Sequence, residues 1–194
     1  MKAASLDTTG EESGLLGARH FLADPPLPTH RMAAAVNVDG LAHLGRITDL
    51  VGIGGELSEL GEALEAAARR VGLEVAPPPP EVSSEAAFMR GDQIAFAQSG
   101  VPAVLVNEGF SWRGVSRPVA LSWARRWMET VYHSPADDLS QPLDLGAAVI
   151  HARGILALVM EVAEWGRGPE WRPGVPHGYR RALDRARAGV PGDG

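Results

Sequence analysis

Two adjacent carboxylates, Glu11 and Glu12, stand just before an apolar, helix-forming run, and a third, Asp39, closes a short apolar run of strand length. One histidine, His133, follows much later in an irregular segment. Carboxylate oxygens and imidazole nitrogens are donors that zinc accepts in hydrolytic sites. A free carboxylate beside such a metal serves as a general base for an attacking water. These residue types favour metal-assisted hydrolysis if the fold brings them together.

The same residues also have simpler structural interpretations. Thr8 or Thr9, three residues ahead of Glu11 or Glu12, forms a capping-box pattern, and the helix macrodipole favours acidic side chains in a first turn. Asp39 followed by glycine is a common turn sequence. Because the spacing between these residues is tertiary, the sequence pattern alone leaves both interpretations open.

Composition limits the kinds of protein that the chain can be. Its 194 residues are 45% hydrophobic and 22% charged, which is ordinary for a single globular domain. The net charge is -6 with scattered basic residues, so nucleic-acid binding is not expected. There is no cysteine, and any zinc must therefore be held by His, Asp or Glu.

The termini and hydropathy give an expectation about location. Residues 1–7 lack the apolar stretch of a secretory signal. No segment is expected to approach the ~20 apolar residues that cross a bilayer. Taken as written, the chain is predicted to be cytoplasmic, without a membrane partner.

Apolar periodicity and the Gly and Pro positions predict alternating helices and strands. In the first part of the chain they indicate a helix over 14–23, a strand over 32–38, an amphipathic helix over 57–71, an extended proline segment at 77–80, a short helix from about 93 to 100 and a buried strand over 102–106.

The second part is predicted to hold a long surface excursion, 107–131, with one helix from about 118 to 130, followed by an irregular loop at 132–138. A long helix from 145 to about 165 is expected next, and a basic stretch at 180–187 is interpreted as a solvated helical end. The residues expected on the buried side of the long helix are Val149, Ile150, Ile155, Leu156, Val159 and Met160.

The chain resembles the M28 family of zinc aminopeptidases, a family of metallopeptidases. Four motifs carry the resemblance, in the family's order: Thr-Gly-Glu-Glu-Ser-Gly-Leu-Leu-Gly-Ala-Arg, Val-Asn-Val-Asp-Gly, Arg-Gly-Asp-Gln-Ile-Ala-Phe-Ala-Gln-Ser-Gly-Val-Pro-Ala and Tyr-His-Ser-Pro-Ala-Asp-Asp. The later Pro-Glu-Trp-Arg-Pro-Gly is similar to the end of one bacterial branch. The resemblance spans about residues 8 to 187.

The resemblance implies an α/β fold, a three-layer, zinc exopeptidase-like arrangement with a mixed β-sheet flanked by helices. It implies that residues 1–194 form a single partial domain whose N-terminal strands are missing. Residues 1–7 and 188–194 are predicted to be disordered.

The resemblance also implies a role for each matching residue. Glu11 would be the general base, Glu12 and His133 would bind one zinc ion, and Asp39 would bind a second. Tyr132 looks like the tyrosine that stabilises the oxyanion in some members, although an ordinary half-buried aromatic is an equal alternative.

Asp137, near His133, has two possible interpretations. Asp137 would fix the imidazole of His133, or would be a solvent-facing turn residue.

Departures from the family pattern bear on activity. Members carry a His-x-Asp pair and an Asp-Asn-Ala-Ser-Gly-like segment before the Glu-Glu motif, and neither is present here. The two zinc ions would therefore retain too few ligands, since a catalytic zinc normally takes three from the protein. His20, His30 and His43 are candidate substitutes, each more simply read as an ordinary surface or core histidine. Gly91 and Gln93 stand where members commonly have Ser and His.

The predicted function is that of a zinc-dependent metallo-exopeptidase, an aminopeptidase that removes N-terminal residues from peptides, incomplete in this chain. The alternative is a non-catalytic remnant or binding module of the same fold. A single-zinc acyltransferase such as a glutaminyl cyclase is a further alternative and needs a complete three-ligand site. Peptides are the expected partners. Family members are often exported, and neither oligomeric state nor side-chain preference is predicted.

Overall fold

A computed structural model describes residues 2–39, 44–80 and 82–190. The four strands within these ranges are β1 (Ala35–Asn37), β2 (Asp49–Ile53), β3 (Glu74–Val75) and β4 (Ala103–Glu108). The helices are α1 (Leu16–Ala23), α2 (Leu60–Arg70), α3 (Ser84–Phe88), α4 (Gln93–Gln98), α5 (Arg117–Thr130), α6 (Leu145–Glu164) and α7 (Pro176–Arg187).

The strands form one mixed sheet in the order β1-β4-β2-β3. Strand β1 runs parallel to β4, with Ala35 opposite Ala103, and β2 runs parallel to β3. Strands β2 and β4 are antiparallel, with Ile53 opposite Leu105. Because β1 and β4 are parallel, their carboxyl ends lie at the same edge of the sheet, which is where Asp39 follows β1.

Both faces of the sheet are covered, because successive strand residues point to opposite sides. Leu50, Val104 and Val106 pack with the apolar residues of α2 and α6 on one face. Val51, Ile53, Ala103 and Leu105 pack on the other face with residues of α1, α3, α4 and the segment around Trp171. This three-layer arrangement confirms the predicted α/β fold class.

Helix α6 has close to the predicted bounds, and part of the predicted buried face is confirmed, since Ile150 and Ile155 pack against the core. Val149, Leu156 and Met160 are exposed, whereas Ala147, His151, Gly154 and Leu158 are among its buried residues. Small residues at this contact allow a close approach: a Cβ at Gly154 would lie 2.8 Å from Leu50 Cδ1. Because α6 is apolar on every side, its periodicity does not identify the packed face.

The same helix corrects the expectation that no segment could cross a bilayer. By length and composition alone, Leu145–Glu164 is long and apolar enough to do so. The core helix of a soluble protein passes the same test, and α6 packs extensively against α2.

The predicted surface excursion is partly core. Strand β4 continues to Glu108, and Trp112 is buried with its Nε1 donating to the carbonyl of Gly109 at 3.1 Å. The predicted helix is present as α5. Asp49, buried at the start of β2, accepts hydrogen bonds from the Ser111 amide at 2.8 Å and the Ser111 hydroxyl at 2.9 Å, which fixes the loop before α5.

The C-terminal segment is anchored rather than solvated throughout. Trp171 is 8% exposed and donates from Nε1 to the carbonyl of Gly100 at 3.0 Å. Arg181, on α7, is buried and donates to the carbonyl of Met32 at 3.0 Å. The basic stretch at 180–187 was therefore correctly predicted as helical, but Arg181 belongs to the interior because it holds α7 against the segment before β1.

We expect His177 to make the fold less stable in mild acid. Its ring packs against those of Trp171 and Phe88, at centroid distances of 5.2 and 6.3 Å, and partial burial lowers the pKa of His177 below 6.5. As pH falls through 6.5 the unfolded chain therefore binds more protons than the folded chain, so stability falls. The melting temperature should fall between pH 7.5 and pH 5.5, and His177→Phe should reduce that fall. His20→Gln, an exposed control on α1, should not. If the melting temperature of His177→Phe fell as much as that of the unsubstituted protein, His177 would not be the cause of the loss of stability.

Candidate active site

Glu11 and Glu12 lie in a tight turn that precedes α1, not in the first turn of a helix. The amides of Gly14 and Leu15 donate to the carbonyl of Glu11, at 3.0 and 2.9 Å. Helix α1 begins at Leu16, with no side-chain cap, and Thr8 Oγ1 donates elsewhere. Of the two interpretations that the sequence left open, the capping box is therefore wrong.

Glycines explain why the chain turns here. Gly10 and Gly14 have φ values of 70° and 100°, which L side chains rarely adopt. A Cβ at Gly17 would lie 2.6 Å from the backbone nitrogen of Thr9, whose carbonyl accepts the Gly17 amide at 2.9 Å. The turn is thereby closed on itself, with Glu12 exposed and Glu11 half-buried.

The second part of the site follows α5. Tyr132 and His133 stack with ring centroids 3.7 Å apart and planes 22° from parallel, and Trp127 packs on Tyr132 at 5.4 Å. His133 has a φ of 55°, an uncommon conformation for a residue other than glycine. The aromatic contacts and this backbone conformation together direct the imidazole of His133.

The structure brings Glu12 and His133 together, although they lie in distant parts of the sequence. His133 Nε2 lies 2.7 Å from Glu12 Oε1, and both side chains are exposed. For both atoms to bind one zinc ion at about 2.0 to 2.1 Å, the distance between Nε2 and Oε1 would have to increase by less than about 1 Å. The pair therefore has the donors and the approximate spacing for two positions around one zinc ion.

Glu11 lies beside this pair and differs electrostatically from an ordinary glutamate. Partial burial raises the pKa of Glu11 above 4.5, and the carboxylates of Glu12, Asp39 and Asp92 raise it further, while His133 opposes them. A carboxylate with a raised pKa is a stronger proton acceptor than a solvated one.

Tyr132 remains protonated near neutral pH. Partial burial raises the pKa of Tyr132 above 10.0, and the carboxylates of Glu12, Asp39 and Glu11 act in the same direction. Its hydroxyl is therefore available as a hydrogen-bond donor.

Asp39 is exposed and lies two residues beyond the carboxyl end of β1. Asp137 is an exposed turn residue whose amide donates to the carbonyl of Ser134 at 3.0 Å. Within the described ranges no hydrogen bond or ion pair joins Asp137 to His133, so its placement agrees with the turn interpretation.

The described residues do not complete a zinc site. No three His, Asp or Glu side chains among them are grouped closely enough to hold a metal ion. His20 is exposed on α1, and His30 lines a separate groove with Arg180 and Asp184. His43 falls outside the described residues.

Sequence reasoning missed the residues beneath the turn. Asp92 Oδ2 accepts a hydrogen bond from Thr8 Oγ1 at 2.5 Å, and Gln93 Oε1 accepts one from Asn37 Nδ2 at 2.9 Å. The only sequence signal was that Asp92 and Gln93 stand in the Arg-Gly-Asp-Gln motif, whose contacts are tertiary.

Comparison with known proteins gives the family. The model of peptidase family M28 matches residues 6–159. The chain belongs to peptidase family M28. The match covers all four motifs that suggested the resemblance, including the Glu11–Glu12 turn and His133. A comparison with curated proteins found no match.

The M28 chain is also similar to one solved structure, "Aminopeptidase from Aneurinibacillus sp. strain AM-1". The TM-score is 0.50 and the sequence identity is 21%, over 79% of this chain and 32% of that chain. This likeness supports the shared fold. The M28 chain spans about a third of the length of that aminopeptidase.

Proposed function

We propose that this chain carries the Glu11, Glu12 and His133 side of a zinc-dependent aminopeptidase active site. The observation that supports the proposal is the 2.7 Å contact between Glu12 and His133, directly beside a glutamate whose pKa is raised. Membership of the M28 family makes hydrolysis of peptide bonds the expected chemistry. We propose removal of N-terminal residues because the motifs of the chain resemble those of the M28 zinc aminopeptidases.

Glu11 has the acid-base role in this proposal. It accepts a proton from the water that attacks the scissile carbonyl and returns it to the leaving amine, which requires a carboxylate within hydrogen-bond reach. Tyr132, kept neutral, donates a hydrogen bond to the oxyanion that forms. Glu12 and His133 would hold zinc, which when bound makes water more acidic and polarises the carbonyl. Asp39 is proposed as a ligand of a second zinc.

The number of ligands sets the expected activity. Glu12 and His133 supply two of the three protein ligands that a catalytic zinc normally takes. We therefore expect the chain alone to bind zinc weakly and to hydrolyse substrate slowly. Joined at its N-terminus to a family segment that supplies the His-x-Asp pair and the Asp-Asn-Ala-Ser-Gly-like motif, it should bind two zinc ions and become active.

The test is release of 4-nitroaniline from an aminoacyl-4-nitroanilide by the fused protein, with and without a chelator. We expect zinc-dependent release that the chelator stops. A fused protein that binds two zinc ions and still releases no 4-nitroaniline would overturn the proposal. Ring closure of an N-terminal glutamine without amine release would instead indicate the acyltransferase. A chain with no bound zinc and an unchanged melting temperature in chelator would indicate the non-catalytic remnant.

A further inference from the structure

Asp92 and Gln93, at the start of α4, each contact one of the two segments that carry the acidic residues. Asp92 Oδ2 accepts from Thr8 Oγ1 at 2.5 Å, three residues before Glu11. Gln93 Oε1 accepts from Asn37 Nδ2 at 2.9 Å, two residues before Asp39. One dipeptide thus touches both the Glu11–Glu12 turn and the end of β1.

The side chain of Gln93 is fixed in place. It is fully buried, and its Nε2 donates to the carbonyls of Phe88 at 2.9 Å and Ala87 at 3.1 Å. With Nε2 committed, Oε1 must face Asn37. A Cβ at Gly91 would lie 2.5 Å from that Oε1, so the glycine leaves room for this arrangement.

The burial of Asp92 is unfavourable, so a specific contact has to compensate for it. It is 6% exposed, and its buried Oδ1 has no hydrogen-bond partner in the part of the chain that the structure describes. Burial of an incompletely paired carboxylate is unfavourable. The compensating contact, from the Thr8 hydroxyl, is directed at the segment that leads into Glu11.

We infer that Asp92 and Gln93 act as a clamp that sets the separation between the Glu11–Glu12 turn and Asp39. They are positioning residues: they touch Thr8 and Asn37 and act on the acidic residues through the backbone. The inference rests on the proposed function, because it matters most if those carboxylates bind zinc ions that must lie close together. Two-metal sites hold their ions about 3.5 to 4 Å apart, so small displacements of a ligand segment are consequential.

The experiment compares Thr8→Val and Thr8→Ser in the full chain, with Thr29→Val as the matched control in the turn before β1. Thr8→Val keeps the shape of the side chain and removes the hydroxyl donor. Amide hydrogen exchange should become faster by roughly tenfold or more at Leu15, Leu16 and Gly17, whose amides close the turn. Thr8→Ser should restore wild-type protection, and the control should show no change.

Zinc affinity measured on the same proteins separates the clamp from general stability. We expect Thr8→Val to weaken zinc binding about tenfold, in line with the effect of residues that orient metal ligands, with little change in melting temperature because Thr8 is exposed. Unchanged exchange in Thr8→Val would overturn the clamp, whatever the zinc result. Absence of zinc binding by the wild-type chain would count against the proposed function, while the exchange result would still decide the clamp.

Discussion

Glu11→Gln is expected to lower kcat for aminoacyl-4-nitroanilide hydrolysis by roughly 10²- to 10⁴-fold in the fused protein, the usual contribution of a general acid-base residue. The amide has nearly the shape of the carboxylate but cannot accept the proton of the attacking water. Zinc content should remain unchanged, because the zinc ligand proposed at this turn is Glu12.

Glu65→Gln is the matched control for this substitution. Glu65 lies exposed on α2 and pairs with Arg69 at 3.8 Å, in a surface contact that contributes little. The kcat of the Glu65→Gln variant should equal that of the unsubstituted fused protein. Full activity of the Glu11→Gln protein would show that Glu11 is not the general base. Loss of zinc from that protein would show that Glu11 binds the metal.

Trp171→Ala is expected to destabilise the fold by about 3–5 kcal/mol, the usual cost of truncating a buried large aromatic residue. Trp171 is 8% exposed, packs in the cluster beneath α1 and α4, and donates to the carbonyl of Gly100. For a chain of this size that loss corresponds to a fall in melting temperature of roughly 6 to 20 °C.

Trp123→Ala is the matched control, because Trp123 is 51% exposed on α5. It packs on Trp112 at 6.0 Å and should cost about 1 kcal/mol or less. Thermal unfolding of the two variants provides the comparison. Equal stability would contradict the anchoring role given to Trp171 and the segment around it.

Elements with one strong local signal were predictable from the sequence. Helix α2 combines an amphipathic pattern with Gly72, and β4 is a continuous apolar run after Pro102. Strand β2 was missed because Gly52 interrupts its short apolar run and Gly54 and Gly55 follow it directly. Antiparallel pairing with β4, in which Gly52 lies opposite Val106, compensates for the weak local pattern.

Two errors had a common physical origin, in that tertiary packing outweighed local pattern. The Glu11–Glu12 pair resembled a helix cap, but Gly10 and Gly14 direct the chain into a turn before α1. Helix α6 is apolar on all sides, so the choice of packed face depended on the small residue Gly154, which fits against Leu50.

The site was predictable only through the ordered motifs of the family. No spacing rule relates Glu12 to His133, since their approach depends on where α5 ends and on the stacking of Tyr132. The contacts of Asp92 and Gln93 were beyond the sequence for the same reason. The roles of Glu11, Glu12, Asp39, Tyr132 and His133 stay predictions that experiments must test.

Zinc titration of the unfused chain by calorimetry tests the central claim most directly. The account predicts one weak site that Glu12→Gln and His133→Ala each weaken at least tenfold, whereas His20→Ala, at an exposed position on α1, leaves the affinity unchanged. Wild-type zinc binding that survives both substitutions, or no zinc binding at all, would contradict the claim that Glu12 and His133 form a zinc-binding pair.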